Sequence, residues 1–590
     1  MPPCPLNQTG WERLTQEYPD KLVIATLLGI CQFGCRIGYE ASRQKPTIHA
    51  NLSTAQAEPH VVSSEIQIEL RKHRLKKYSS IVALPQHYTA SPLGLVDKSD
   101  GTKRRIHHLS YPPADESAIN NGIPEEYGTI TYSSISKAIS AIQDFGAKAV
   151  LVKRDFESAF RHIPISPLDS PLLGFHWEGA YYAEQFLPFG LRTAPYIFNL
   201  FAEVFHWVLN HELQKIGLPV HIIHYLDDFL LVLPPGSELQ KYSDLFSELS
   251  ARVGLSIKIS KNEEGSIASF AGIEIDTESM VIRLPPKKLI KAQHLVQNAI
   301  ARRSATLLEL QKITGYLNFV STVVPLGRTF LRRLYNMELY FPTGGRYYRR
   351  RLSTEARKDL LWWQDVLGGE PERSIATRVR ETISTWSDAS STKGIGAFYT
   401  CATQPRPQAD SAFAIKLPSN LSHRKEHINT QEMRAVEQAL LHWGERWRGH
   451  RVIVHTDNRT VAYGIANGTT RGKSMAVLRT CMLLATRYDL ELEARWISTK
   501  ENALADALSR FDYQRITDLA PQLIHPAGYP QMLGLQTFAK PDCRLSPPTI
   551  SGGVLHLPPD GTMTPQGHGL PFSARYRTFA TPMESASLPE

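Results

Sequence analysis

Seven carboxylates in two groups are the residues best placed to do chemistry. In VHIIHYLDDFLLVL (220–233) two β-rich apolar runs flank Leu226-Asp227-Asp228, a pattern that predicts a hairpin with two acids at its tip. Asp suits turns for conformational reasons alone, so the pair by itself is an ambiguous signal. Two carboxylates 4 Å apart repel by about 4 kcal/mol at an effective dielectric of 20. Apposing them is costly unless a cation lies between. A third acid, Asp155, follows the strand-like run Ala149–Val152 in AVLVKRDFESAFRHIPI (149–165). Between these segments lies QFLPFGLRTAPYIFN, turn-rich and running into a helix from about Thr193. A strand-end Asp and a hairpin Asp pair can hold two Mg²⁺ ions, and such a pair stabilises both oxygens of an in-line phosphoryl displacement.

The second group is spread over 120 residues. Asp388 ends a strand-like run in TISTWSDASSTKGIGAFY (382–399), and a further run follows Gly394. In NTQEMRAVEQALLHW, Thr430 suits an N-cap, and Met433, Val436, Leu440 and Trp443 form one apolar helix face. Glu432 then falls in the first turn, where an acid can serve merely as a partner of the helix dipole. VIVHTDNRTV places Asp457 at another strand end, and ARWISTKENALADALSR places Asp506 in a closing helix. One strand-end Asp means little; four acids in the order strand, helix, strand, helix mean more.

The elements that must position these acids follow from periodicity. Residues 1–75 mix a helical stretch with a polar segment and form an N-terminal extension. Residues 76–285 alternate short β-rich runs with helical patterns. Residues 286–340 read as consecutive helices, with Leu310, Ile313, Leu317 and Val320 on one buried face. Residues 341–380 are a basic, polar connector. Residues 381–512 return to strand–helix alternation. Residues 513–590 hold 12 Pro and 7 Gly and are expected to be a largely disordered tail. The fold class is therefore α+β / α/β and multidomain.

Charge is concentrated. The chain has 590 residues and a net charge of +9, but residues 281–352 hold 14 Lys+Arg against Glu309 and Glu338, a net of +12. A solvated helix face normally interleaves both signs, so this stretch is expected to track phosphates.

The first three segments together resemble the palm of a reverse transcriptase. Asp155 of DFESAF matches the family's first metal aspartate, YLDD its Y-x-D-D box, and LPFG (Phe189, Gly190) the turn under the incoming nucleotide. The resemblance implies a right-hand polymerase with fingers, palm (76–285) and a helical thumb with connector (286–380). It also implies that Asp155, Asp227 and Asp228 bind metal, two Mg²⁺ with Mn²⁺ as a substitute. Phe160 falls where the family sets a bulky side chain against the sugar 2′ position, which would favour dNTPs. SPLGLVDKSDGTKRRIHHLS resembles the fingers segment that grips the triphosphate, with Lys98 and Arg104 on the matching positions and Arg105 competing for the second. Lys261 in LSIKISKN matches a lysine that protonates pyrophosphate, with Lys258 as the other choice. FAGIEI (270–275) looks like the hairpin that positions the primer end.

Residues 381–512 resemble ribonuclease H, an RNase H-like mixed sheet with helices whose four acids bind two metals and cleave RNA paired with DNA. Asp388, Glu432, Asp457 and Asp506 match that set. Many ribonucleases H carry a His about ten residues before the last Asp; here Trp496 stands there, and no His lies between His455 and His525. The expected partners are an RNA template, a DNA primer, the RNA–DNA hybrid and dNTPs. The N-terminal WERLTQEYPDKLV…GCRIGYEA and RRIHHLS look like DIRS-type retrotransposons, with gypsy-type LTR elements next. With no protease, zinc knuckle, integrase or recombinase motif, the chain is expected to be a separate reading frame, a processed piece or a truncated copy.

Composition excludes whole-chain disorder, collagen and long coiled coils. Six scattered cysteines do not make a disulfide framework or, lacking a matching Cys/His pair, a zinc site. The apolar run Leu22–Cys35 is too short to span a bilayer and sits too far from the N-terminus for a signal peptide, so an intracellular (cytoplasmic or nuclear) protein is expected. The alternative to an enzyme is a decayed or host-adopted nucleic-acid-binding derivative. That alternative predicts loss of some metal acids, and all seven are present.

Overall fold

The computed structural model describes residues 4–525, apart from 42–45, 98–100, 114, 116, 131–134, 343–344, 346, 378 and 418–425. They fall into two units, divided between Ala271 and Gly272.

The first unit is built on a four-stranded antiparallel sheet in the order Glu263–Gly265, Val150–Asp155, Asp228–Leu233, His221–Tyr225. Phe229 to Leu233 are all buried, which is why this central strand reads as an unbroken apolar run rather than an alternating one. Behind it lies the helix Ala194–Lys215, twelve of whose residues are buried. Phe156, Phe205, Phe229 and Phe246 pack with ring centroids 5.2–5.9 Å apart. The N-terminal helices Gln8–Leu14 and Lys21–Phe33 join this core: Trp11 is fully buried, with its ring edge-on to Phe201. Cys31 lies on the second of these helices, but Cys35 lies past its end, after Gly34, so the two share no helix face. A second sheet includes the hairpin Gly174–Trp177 and Ala180–Glu184, and beside it runs the hairpin Leu93–Asp97 and Lys103–His107.

The second unit begins inside the segment expected to close the palm. Ile273–Asp276 pairs with Val281–Arg283, which pairs in turn with Glu372–Ser374. Residues 272–285 thus share a ladder with Glu372–Ser374 of the same unit. The expected helices are Pro286–Arg302, Leu307–Val320 and Arg332–Glu338, and Leu310, Ile313, Leu317 and Val320 are all buried. A capping box between Thr306 and Glu309 starts the second of them. The stretch expected to be a connector holds another full helix, Thr354–Gly368, capped by Ser353 and anchored by fully buried Trp363.

A five-stranded sheet comes next, in the order Ala412–Lys416, Gly394–Cys401, Thr382–Ala389, Arg451–Thr456, Glu491–Trp496. The first three strands are antiparallel and the last three parallel. The chain past 512 does not begin as a disordered tail. Tyr513–Leu519 is a helix capped by Asp512, and Ile516, Ala520 and Leu523 are buried against Ala505 and Leu508. Three apolar residues at helical spacing outweigh the composition of the whole segment; the expectation for 526–590 lies outside the described residues. Among the described residues no helix is long and apolar enough to cross a membrane.

Candidate active sites

The first carboxylate group is assembled by strand register. Asp155 ends its strand and Asp228 begins the neighbouring one, and the two are direct partners across the antiparallel ladder. Leu226, at φ 56°, turns the chain so that Asp227 follows at the hairpin tip. The Asp227 carbonyl accepts from Phe156 N at 3.1 Å, which ties the tip to the Asp155 strand. Burial raises the Asp227 carboxyl above its usual range, and the Asp155 charge raises it further. Asp228 is pushed up to about 7, chiefly by burial; the Lys153 charge opposes this, and Asp155 and Asp227 add to it. Its Oδ1, 3.6 Å from Lys153 Nζ, accepts no hydrogen bond.

Lys261 Nζ lies 2.7 Å from Asp155 Oδ2. Burial alone would lower the Lys261 pKa, but the hydrogen bond and charge of Asp155 hold it above the usual range. Lys258 sends only its backbone N–H to Asp155, at 2.7 Å to the carbonyl, and its side chain is exposed.

The second group sits at the carboxyl ends of parallel strands, where open α/β sheets gather ligands. Trp386 is paired with His455, so two residues further on Asp388 and Asp457 emerge side by side. The neighbouring helix Ile428–Trp443 supplies Glu432. Its N-cap is His427, not Thr430: the His427 ring accepts from Asn429 N, while Thr430 Oγ1 instead bonds Ser474 Oγ at 2.9 Å. The helix thus starts earlier than a Thr cap implies, and Glu432 lies beyond its first turn, buried.

One oxygen each from Asp388, Glu432 and Asp457 lies within 4.8 Å of the others. Asp388 is pushed up to about 6, mainly by burial and then by Asp457 and Asp506, against the hydrogen bond from Ser509 Oγ at 2.6 Å. Glu432 is held well above its usual range by burial and by Asp388 and Asp457, and its Oε2 accepts no hydrogen bond. The fourth acid, Asp506 on helix Ala503–Arg510, stands outside that trio; it accepts from Arg510 Nε at 2.6 Å and Arg515 Nη1 at 2.7 Å. Gly396 permits this closing helix to lie on its strand, since a Cβ there would meet Ser509 N at 2.5 Å.

Two features here were not legible in the motifs. Arg515 lies in the stretch expected to be tail. Trp496 donates Nε1–H to the Asp457 carbonyl at 2.9 Å, under the Arg459 guanidinium 5.0 Å from its ring. Arg510, four residues after Asp506 on one helix face, could have been found from spacing.

Both groups suit hard divalent cations. The donors are all carboxylate oxygens, the anionic forms of Asp227, Asp228, Asp388 and Glu432 are disfavoured without a counter-charge, and each group retains a buried oxygen without a hydrogen bond.

Residues 100–276, which contain the whole first group, match the family model for reverse transcriptase (RNA-dependent DNA polymerase). The chain carries a reverse transcriptase domain. Its relatives include the Gag-Pro-Pol polyprotein of Human T-cell leukemia virus 2, 29% identical over 255 residues (42% of this chain and 16% of the relative). A polyprotein of Cassava vein mosaic virus is 25% identical over 374 residues (61% of this chain and 52% of the relative). The chain thus spans from about a sixth to about half the length of these curated relatives. Among solved structures, a foamy viral protease-reverse transcriptase in complex with RNA/DNA hybrid aligns over 83% of this chain and 62% of its own, at 17% identity and a TM-score of 0.44.

Within the reverse transcriptase domain, Phe160 lies in the short 3₁₀ turn Ala159–His162, entered through Ser158 at φ 53°. Its ring packs 5.3 Å from Phe189, which is half exposed. Gly190, at φ 95°, passes so close to the neighbouring hairpin that a Cβ would meet the His107 carbonyl at 3.0 Å. The two arginines left open by the sequence differ here: Arg104 is exposed and lies 5.9 Å from the Phe189 ring, while Arg105 is buried against Glu184 and Phe175. Lys98 lies outside the described residues.

Proposed function

We propose that the chain is an RNA-directed DNA polymerase with a fused ribonuclease H, copying retrotransposon RNA into DNA and degrading the RNA of the hybrid. The observation that carries this is the apposition of Asp155 and Asp228 across one ladder, with Asp227 at the adjoining tip, inside the reverse transcriptase match. DIRS-type elements are the preferred source and gypsy-type elements the second, on the N-terminal motifs.

Asp155, Asp227 and Asp228 would hold two Mg²⁺ ions, with Mn²⁺ as a substitute. Bound there, such ions supply Lewis acidity to the attacking and leaving oxygens of a phosphoryl displacement. The protein's own residues do the rest. Lys261 carries a proton beside Asp155, suited to the leaving pyrophosphate. Arg104 offers a guanidinium to the triphosphate, with Lys98 expected to assist. Phe160, backed by Phe189, closes the space at the sugar 2′ position and so favours dNTPs. The basic helices of 281–352 follow the phosphates of an RNA–DNA duplex without reading bases. Asp388, Glu432, Asp457 and Asp506 form the corresponding hydrolytic site, where Trp496 braces Asp457 in place of a histidine.

The test is primer extension on poly(rA) with Mg²⁺ or Mn²⁺, together with cleavage of a labelled RNA–DNA hybrid. Asp227→Asn should abolish extension and spare cleavage; Asp388→Asn should do the reverse. Extension that survived Asp227→Asn would remove the first assignment, and cleavage that survived Asp388→Asn the second. A chain that bound hybrid but did neither reaction would be a binding-only derivative.

A further inference from the structure

We propose that Glu184 is a positioning residue for the nucleotide end of the polymerase site: it locks Phe160 and Arg104 into one frame and thereby sets nucleotide affinity and sugar selection. The inference rests on the roles given above to Phe160 and Arg104.

Glu184 ends the strand Ala180–Glu184 and is 1% exposed. Its Oε2 accepts from Arg161 Nη1 at 2.7 Å, and its Oε1 lies 3.5 Å from Arg105 Nη2. Among the described residues, only this carboxylate pairs with both arginines. Arg161 directly follows Phe160 in the Ala159–His162 turn; its Nη1 also donates to the Phe186 carbonyl at 3.1 Å, and it pairs with Glu69 on the helix Pro59–Arg71. Arg105 directly precedes Ile106 and follows Arg104 in the strand Lys103–His107.

One buried carboxylate therefore joins the turn that presents Phe160 to the strand that presents Arg104. On the outer side the frame is closed by side chains: the Arg104 guanidinium lies 5.9 Å from the Phe189 ring, which lies 5.3 Å from Phe160. Arg104, Arg105, Ser158, Arg161, Glu184 and Phe189 line a cavity of about 350 Å³ beside the Phe160 turn. Burial alone would raise the Glu184 carboxyl, but the Arg161 and Arg105 charges hold it below the usual range, so the frame is ionic at neutral pH. Arginine forks fix the orientation of the group they hold as well as its distance, which is what a positioning role needs.

The experiment is steady-state incorporation of dNTP and rNTP on a primed RNA template by Glu184→Gln, with active sites titrated. The expected result is a KM for dNTP raised about tenfold with kcat per active site little changed, together with an increased share of rNTP incorporation. A merely structural glutamate would lower the active fraction and the melting temperature while leaving KM and the rNTP share alone, and that result overturns the proposal. Should Glu184→Gln fail to fold, Arg105→Gln keeps the Arg161 pair and loosens only the Arg104 strand. It should raise the KM for dNTP without changing sugar selection, and an unchanged KM overturns the proposal. Phe160→Val separates the two levels of the argument. If it increases rNTP use and Glu184→Gln does not, the positioning role alone falls. If it leaves rNTP use unchanged, the reading of Phe160 falls, and the sugar-selection role of Glu184 falls with it.

Discussion

Asp228→Asn is expected to make the protein more stable in EDTA while it lowers DNA synthesis. Asp228 is held at about 7, against 3.8 for the free side chain, so ionising it within the fold costs roughly 4 kcal/mol at 1.36 kcal/mol per unit. The cause is chiefly burial, with repulsion from Asp155 and Asp227 added and attraction to Lys153 subtracted. The sign is set by proton uptake. Between pH 4 and 7 the folded carboxyl binds a proton that the unfolded one has released, so stability falls as pH rises through that window. Above about pH 7 the full penalty is present; below pH 4 it vanishes. Asparagine has nearly the same shape and never ionises, so the variant's advantage should be near zero at pH 4 and full at pH 8. At 2–4 °C per kcal/mol for a unit of this size, the melting point at pH 8 should rise by about 10 °C. The assay is thermal unfolding in EDTA at pH 4, 6 and 8, repeated with Mg²⁺. Binding to the folded form stabilises by mass action, so Mg²⁺ should raise the wild type more than the variant and narrow the gap. A variant no more stable than wild type at pH 8, or a difference independent of pH, would refute the reasoning.

Other substitutions test the second unit. Trp496→Ala removes one hydrogen bond to the Asp457 carbonyl and the contact with Arg459, together about 1–2 kcal/mol. Hybrid cleavage should fall about tenfold while primer extension is unchanged; unaltered cleavage would show that Trp496 does not brace Asp457. Arg479 Nη1 donates to buried Asp359 Oδ1 at 2.7 Å, and its other nitrogen bonds Oδ2 at 2.5 Å. Arg479→Met should destabilise this unit by about 3 kcal/mol, because it leaves Asp359 to Arg333 alone, and adding Asp359→Leu should recover most of the loss. A melting temperature unmoved by Arg479→Met would count against this account of the ion pair.

Much of both sites was legible because local pattern and chemistry coincide there. The hairpin around Asp227 and Asp228 shows in the sequence because two β-rich runs meet at a turn with no room for another element. The helix at 307–320 shows because its buried face repeats at helical spacing. Where local signals compete, spacing did not suffice. Thr430 has the chemistry of an N-cap, yet the chain enters the helix at His427 because Thr430 finds Ser474, a residue 44 positions away. Residues 513–524 have tail-like neighbours in sequence, but a core to pack against in space.

By itself, then, the sequence determined which acids exist, which elements carry them and where the positive charge is massed. Those properties follow from side-chain type and short-range periodicity. Only the tertiary structure decided which acids meet: Asp388, Glu432 and Asp457 cluster, while Asp506 is claimed by Arg510 and Arg515. It also separated Arg104 from Arg105, adjacent in the chain but on opposite faces of one strand, one exposed beside Phe189 and the other buried on Glu184. Electrostatic strength depends on burial and on partners brought from distant segments, and neither quantity is written in the order of residues.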